Sequence, residues 1–174
     1  MNFIAEKTSN LKGEVVCPGD KSISQRILMI GSLLDEDIEI TGFLNALDPL
    51  STLNALSSVG VKIKNDNTKI KIFNKTNFIS PKNDINFGNS GTGMRLMMGF
   101  ISGLSIDANL VGDHSLSKRP MMRVANPLND MGANITCTNE HPPVLIKRGN
   151  IVNNYKYELP IASAQVKSSI LLAA

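Results

Sequence analysis

Residues 88–95 read GNSGTGMR and run straight into the apolar stretch Leu96-Met97-Met98-Gly99-Phe100-Ile101. Small and hydroxyl residues ahead of a helix leave backbone N–H groups bare and let the chain bend sharply. The first turn of a helix carries unpaired donors and a partial positive charge, which makes it a natural seat for an anion. Arg95 falls one turn in and adds a guanidinium able to grip phosphate or carboxylate at two points. The spacing is not that of a P-loop, because no Gly-Lys-Ser/Thr follows. Nor is it a dinucleotide fingerprint, because the third glycine is missing. Taken alone, the same residues also describe a Gly-rich cap on an ordinary helix.

The surrounding chain repeats this arrangement. Residues 22–34 read as a helix with Ile23, Ile27, Ile30 and Leu34 on one apolar face. Asp37–Gly42 alternates as a strand, and Asp48 and Pro49 read as the N-cap and first position of a second helix through Leu50, Leu53, Leu56 and Val59. Val61–Lys64 and Lys69–Phe73 read as a hairpin about Asn65-Asp66-Asn67. The order then recurs: a helix after 88–91 with Met94, Met97, Met98 and Ile101 inward, and a strand near 105–111. A helix opened by Pro120 follows, with Met121, Val124, Leu128 and Met131 on one face, then strands near 133–138 and 143–148. Arg26 matches Arg95, Pro49 matches Pro120, and Val59-Gly60-Val61-Lys62-Ile63 matches Met131-Gly132-Ala133-Asn134-Ile135. A third copy opens at Ser163-Ala164-Gln165-Val166-Lys167, so the period is about 70 residues. Each unit reads β-α-β-α-β-β. The expected fold is therefore α/β, with repeated units packed around a pseudo-threefold axis rather than a doubly wound sheet. Three helix starts become equivalent, each followed by a cation at Arg26, Arg95 or Lys167. They either converge on one polyanion site or cap helices on unrelated edges.

Composition narrows the function. The chain has 174 residues, 42% hydrophobic and 19% charged, ordinary values for a globular protein. No apolar run reaches the roughly 18 residues that span a bilayer, and MNFIAEKTSN does not read as a signal peptide. Cys17 and Cys137 fit neither a metal spacing nor a disulfide framework, which points to a reducing cytoplasm. A net charge of +3 with dispersed basic residues and 5% aromatics argues against a nucleic-acid stacking surface. The final VKSSILLAA starts a helix without a stop, from which a truncated chain is expected.

Two further motifs carry cations. In PGDKSISQR, residues 18–26, Lys21 offers three donors at a helix start, Ser22 a hydroxyl and Arg26 a fork. In GDHSLSKRPMMR, residues 112–123, Arg119 precedes a helix and reads as an anion clamp, while Arg123 reads as solvated. His114 reads as a surface residue and His141 as part of a turn.

Together PGDKSISQR, GNSGTGMRLMMG, GDHSLSKRPMMR and PIASAQVKSSILLAA resemble the 5-enolpyruvylshikimate-3-phosphate synthases, or 3-phosphoshikimate 1-carboxyvinyltransferases, across nearly the whole chain. The resemblance implies two lobes of three β-α-β-α-β-β units each. Residues 16–174 would be the N-terminal lobe, with two complete units and the start of a third. Strands at 3–7 and 11–16, essentially residues 1–15, would belong to a second, mostly missing lobe. It implies that Lys21, Ser22, Arg26, Ser163, Ala164 and Gln165 bind shikimate 3-phosphate. Lys21, Gly91, Arg119 and Gln165 would hold phosphoenolpyruvate, with Lys21 and Gln165 touching both ligands as catalytic residues. Asn89, Thr92 and Arg95 would support that loop. The implied reaction transfers the enolpyruvyl group to the 5-hydroxyl of shikimate 3-phosphate and releases phosphate, a step of chorismate and aromatic amino acid biosynthesis. No metal or organic cofactor, nucleic acid or membrane is implied, and a complete member is expected to be monomeric. Because the second lobe supplies carboxylates and further basic residues, this chain alone is expected to be inactive. The UDP-N-acetylglucosamine enolpyruvyl transferases share the chemistry. They are expected to carry Lys-Asn in place of Lys21-Ser22 and a cysteine before the arginine clamp, and residues 112–119 contain none. A non-catalytic anion- or nucleic-acid-binding module is the alternative from another class.

Overall fold

The computed structural model describes residues 2–73, 77–152 and 154–174. The first unit comprises α1 (Lys21–Ser32), β1 (Ile38–Thr41), α2 (Leu47–Ser58), β2 (Lys62–Asp66) and β3 (Lys69–Phe73). The second comprises β4 (Ile85–Asn86), α3 (Gly91–Gly103), β5 (Ala108–Val111), a short 3-10 turn at Leu116–Lys118, α4 (Met122–Asp130), β6 (Asn134–Thr138) and β7 (His141–Lys147). Helix α5 (Ala164–Ala173) opens the third. This is the α/β repeat expected from the sequence.

Each unit builds its own sheet in the same way. In the first, the order is β1-β3-β2, with Ile38, Ile72 and Ile63 in one cross-strand row. In the second, β5-β7-β6 repeats that pattern with Ala108, Ile146 and Ile135 in the equivalent row, and β4 adds in parallel beside β5. The match extends to single backbone angles. Gly60 and Gly132 end their helices at φ 102° and 99°. A Cβ at either would meet a carbonyl oxygen, of Asn77 at 2.7 Å or Asn150 at 2.1 Å, so only glycine fits the turn.

Helix α3 is the hub. Met94, Met97, Met98 and Ile101 are buried as expected, but so are Leu96 and Phe100, because helices and the second sheet surround it. Helix α5 lies along it in parallel register. A Cβ on Gly99 would stand 1.9 Å from the Ser169 carbonyl oxygen, and one on Gly103 would stand 2.9 Å from that of Ala173. Glycines facing small residues one turn apart let the two backbones touch. Helix α1 completes the trio, with Gln25 reaching Ser90 and Arg26 reaching Ser168 near the N-terminal ends.

Three expectations need correction. Ile23, Ile30 and Leu34 do not face the core. They are 68%, 48% and 50% exposed, while Ser24, Gln25, Leu28, Met29 and Ser32 are buried. Helical spacing marks two adjacent stripes on α1; the buried one carries Leu28 and Met29 into the core, and most of its polar atoms are bonded there, the Gln25 Oε1 excepted. Ser24 Oγ accepts from Leu44 N–H, and Ser32 Oγ donates to the Met29 carbonyl. Asp48 does not cap α2. The helix starts at Leu47 behind Ala46, and the Asp48 carboxylate instead takes the Lys21 ammonium at 3.1 Å. No strands form over 3–7 and 11–16. Phe3, Leu11, Val15 and Val16 are at least 85% exposed, and the segment has no neighbouring strand to take up its backbone N–H and C=O groups.

Candidate functional site: an arginine cluster over three helix starts

The N-termini of α1, α3 and α5 lie together. Asp20 caps α1, its carboxylate accepting from Ile23 N–H at 2.7 Å. Ser90 caps α3 and Ser163 caps α5, each accepting from the N–H three residues on. At α1, Lys21 is ion-paired to Asp48. The carbonyl of Ser22 accepts from Arg26, whose guanidinium also donates to Ser168 Oγ at 3.0 and 3.2 Å.

Gln25, which the sequence reading passed over, ties the base of the site. It is fully buried, and its Nε2 lies 2.9 Å from Ser90 Oγ, 3.0 Å from Thr52 Oγ1 and 3.2 Å from the Asp48 carbonyl. One amide thus joins α1, α2 and the cap of α3. A Cβ on Gly93 would come within 3.0 Å of it, so the glycine is what admits the side chain. We expect Gln25→Leu to keep the volume but remove these bonds, lowering stability by about 1–3 kcal/mol. A shift of the urea midpoint at unchanged slope is the measurement that checks it.

At α3, Arg95 is half-buried. Its Nη1 donates to Gln165 Oε1 at 3.0 Å and its Nη2 to the Pro120 carbonyl at 3.0 Å, and Gln165 Nε2 donates onward to Thr92 Oγ1. Burial first, then the charges of Arg119 and Arg123, pull the Arg95 guanidinium below its ordinary value. It remains protonated at any working pH.

The loop before α4 holds Arg119. Asp113 is its anchor: one carboxylate oxygen accepts from Leu116 N–H at 2.8 Å, the other from Asn89 Nδ2 at 3.0 Å. Asn89 Oδ1 in turn accepts from Arg119 Nη2. The Leu116 bond above all holds the Asp113 carboxyl below the usual range, so it stays charged in mild acid. Both Arg119 and Arg95 reach Gly91, where a Cβ would lie 2.9 Å from one guanidinium and 3.3 Å from the other.

The structure therefore brings together Gly91, Asn89, Thr92, Arg95, Arg119 and Gln165, with Ser163 beside them. Lys21 and Ser22 lie exposed at the start of α1, and Ala164 at the start of α5. Lys167 does not join: it is exposed and makes no side-chain hydrogen bond or ion pair among the described residues. His114 is exposed, and His141 begins β7 after its turn. Among the described residues none of Arg26, Arg95, Arg119 and Arg123 is ion-paired to a carboxylate, and no group of three or more His, Cys, Asp or Glu could hold a metal. No helix among them is long and apolar enough to cross a membrane. Arg123, Asp113 and Gln25 lie inside the quoted motifs, but nothing in those motifs assigns them a role in the site. Only their three-dimensional neighbours reveal them.

Fold and site define an α/β repeat lobe with unneutralised arginines gathered at parallel helix starts, the class of the enolpyruvyl transferases. The family model for EPSP synthase (3-phosphoshikimate 1-carboxyvinyltransferase) matches residues 5–174, and the chain belongs to that family. A 3-phosphoshikimate 1-carboxyvinyltransferase of Thermodesulfovibrio yellowstonii is 49% identical over 178 residues, and one of Legionella pneumophila (strain Corby) 44% over 176. Each match takes in 99% of this chain. An EPSP synthase structure from Acinetobacter baumannii superimposes with a TM-score of 0.86 at 43% identity, over 92% of this chain and 37% of that one. The chain spans 41% of the length of the two curated relatives.

Proposed function

We propose that this chain supplies one wall of a site that transfers the enolpyruvyl group of phosphoenolpyruvate to the 5-hydroxyl of shikimate 3-phosphate, releasing phosphate. The observation that carries this reading is the gathering of Arg95 and Arg119 at Gly91 and of Arg95 and Arg123 about one cavity, none of them paired with a carboxylate among the described residues. Gathering like charges costs free energy that a bound polyanion returns. Both substrates are polyanions, and a cationic wall offsets their mutual repulsion while aligning them.

In this reading Lys21, Ser22, Arg26, Ser163, Ala164 and Gln165 hold shikimate 3-phosphate. Gly91, Arg119, Lys21 and Gln165 hold phosphoenolpyruvate, and Asn89, Thr92 and Arg95 fix that loop. The acceptor oxygen adds to the enol carbon as the methylene gains a proton. The tetrahedral adduct then loses phosphate and a proton. Residues 1–15 would pair within a second lobe, residues 16–174 would form the N-terminal lobe, and proton transfer would need groups outside this chain. The 174 residues alone would bind shikimate 3-phosphate weakly and turn nothing over.

Titration calorimetry of the chain with shikimate 3-phosphate, UDP-N-acetylglucosamine and a DNA oligonucleotide tests the reading. Saturable binding of the first alone is expected. Preference for the second would favour the sister transferase. Oligonucleotide binding with a steep salt slope would replace the reading with a nucleic-acid module.

A further inference from the structure

We propose that Arg123 is a further anion-binding residue, forming with Arg95, Ser163 and Gln165 a subsite for the phosphate group of the acceptor. The identity of the phosphate carrier rests on the function proposed above. The subsite itself rests on geometry. A cavity of about 110 Å³ opens between α4 and the start of α5, lined by Arg95, Pro120, Arg123, Ser163 and Gln165, with Val124 and Val166 behind. That volume exceeds the roughly 10–15 Å³ a single water needs and suits one small oxyanion. Two of its lining residues are arginines and none is an aspartate or glutamate.

The donors there are unspent. Arg123 makes no side-chain hydrogen bond or ion pair among the described residues, although its charge is felt at Arg95. Ser163 Oγ accepts from Val166 N–H, which leaves its own proton to give. Arg95 uses one bond to Gln165 and one to Pro120, out of five N–H groups. The opposite side of Arg123 offers little competition. There a wider groove of about 330 Å³ is walled mostly by apolar residues such as Met122, Pro127, Tyr157 and Leu159. Gly91 and Arg119, assigned above to phosphoenolpyruvate, do not line the smaller cavity, while Ser163, assigned to the acceptor alone, does, so the anion it takes is that of the acceptor.

The test is titration of the 174-residue chain with inorganic phosphate and with shikimate 3-phosphate, comparing Arg123→Ala, Arg123→Lys and Arg148→Ala. Arg148 is exposed and outside the site, so its removal controls for net charge. Arg123→Ala should weaken both anions about tenfold, Arg123→Lys less, and Arg148→Ala should have little effect. Because Arg123 makes no side-chain bond among the described residues, its loss should leave the unfolding midpoint in place. Equal weakening by Arg123→Ala and Arg148→Ala, or none by either, overturns the assignment. If shikimate 3-phosphate binds wild type and Arg123→Ala equally, this inference fails and the proposed function stands. If phosphate binding depends on Arg123 but shikimate 3-phosphate does not bind, the subsite stands and the acceptor is wrong. Failure of the wild-type chain to bind either anion overturns both.

Discussion

Replacing Gly99 by alanine should destabilise the chain by about 3 kcal/mol and open the site without touching any residue in it. The new Cβ would lie 1.9 Å from the Ser169 carbonyl oxygen and 2.7 Å from its carbonyl carbon. The obstacle is helix backbone, which cannot swing away as a side chain would, so α5 must move off α3 as a body. That movement breaks the bond from Ser169 Oγ to the Arg95 carbonyl and withdraws Gln165 from Arg95 and Thr92. The urea midpoint should fall, and anion affinity should fall with it. Gly103→Ala, facing Ala173 oxygen at 2.9 Å, should cost far less. Equal midpoints for Gly99→Ala and wild type would contradict the parallel close packing of the two helices.

On the proposed function, Arg119→Ala, made in a protein carried to the length of its relatives, should lower kcat/KM for phosphoenolpyruvate by about 10²–10³-fold, the effect of removing one preorganised donor from a developing charge. Among the described residues its guanidinium makes a single side-chain bond, to Asn89, so stability should change by less than about 0.5 kcal/mol. The combination separates a binding role from a structural one. A large stability loss with little kinetic effect would place Arg119 in the scaffold instead. Asn89 and Asp113 hold the group in place, so Asn89→Ala should reproduce part of the kinetic loss.

The repeat was legible because glycine and apolar spacing are local. Gly60 and Gly132 announce the same turn in two places, and Met121, Val124, Leu128 and Met131 form one buried stripe as read. The side of α1 that faces inward was not legible. Ile23, Ile30 and Leu34 obey helical spacing as well as the buried set does. The choice between stripes depends on partners that Ser24, Gln25 and Ser32 find elsewhere in the chain. Asp48 misled for a related reason. A carboxylate beside a proline at a helix start has the form of a cap, and nothing local reveals a lysine 27 residues earlier that claims it. Gln25 was invisible because its value lies in three acceptors contributed by two other helices. Lys167 shows the converse: equivalence in the repeat does not guarantee a place in the cluster.

The contacts between α3 and α5 also bear on the order in which the molecule assembles. Arg95 and Gln165 are 70 residues apart, and Gly99 with Ser169 and Gly103 with Ala173 keep the same separation. Closing so long a loop costs roughly 2–3 kcal/mol more entropy than closing a hairpin turn, at about 0.6 kcal/mol per doubling of length. The hairpins β2–β3 and β6–β7 can therefore form early. The junction between copies, where Arg95 meets Gln165, should form late and be among the first regions to open. Amide exchange should show this as faster opening along α5 than in the interior strands β3 and β7.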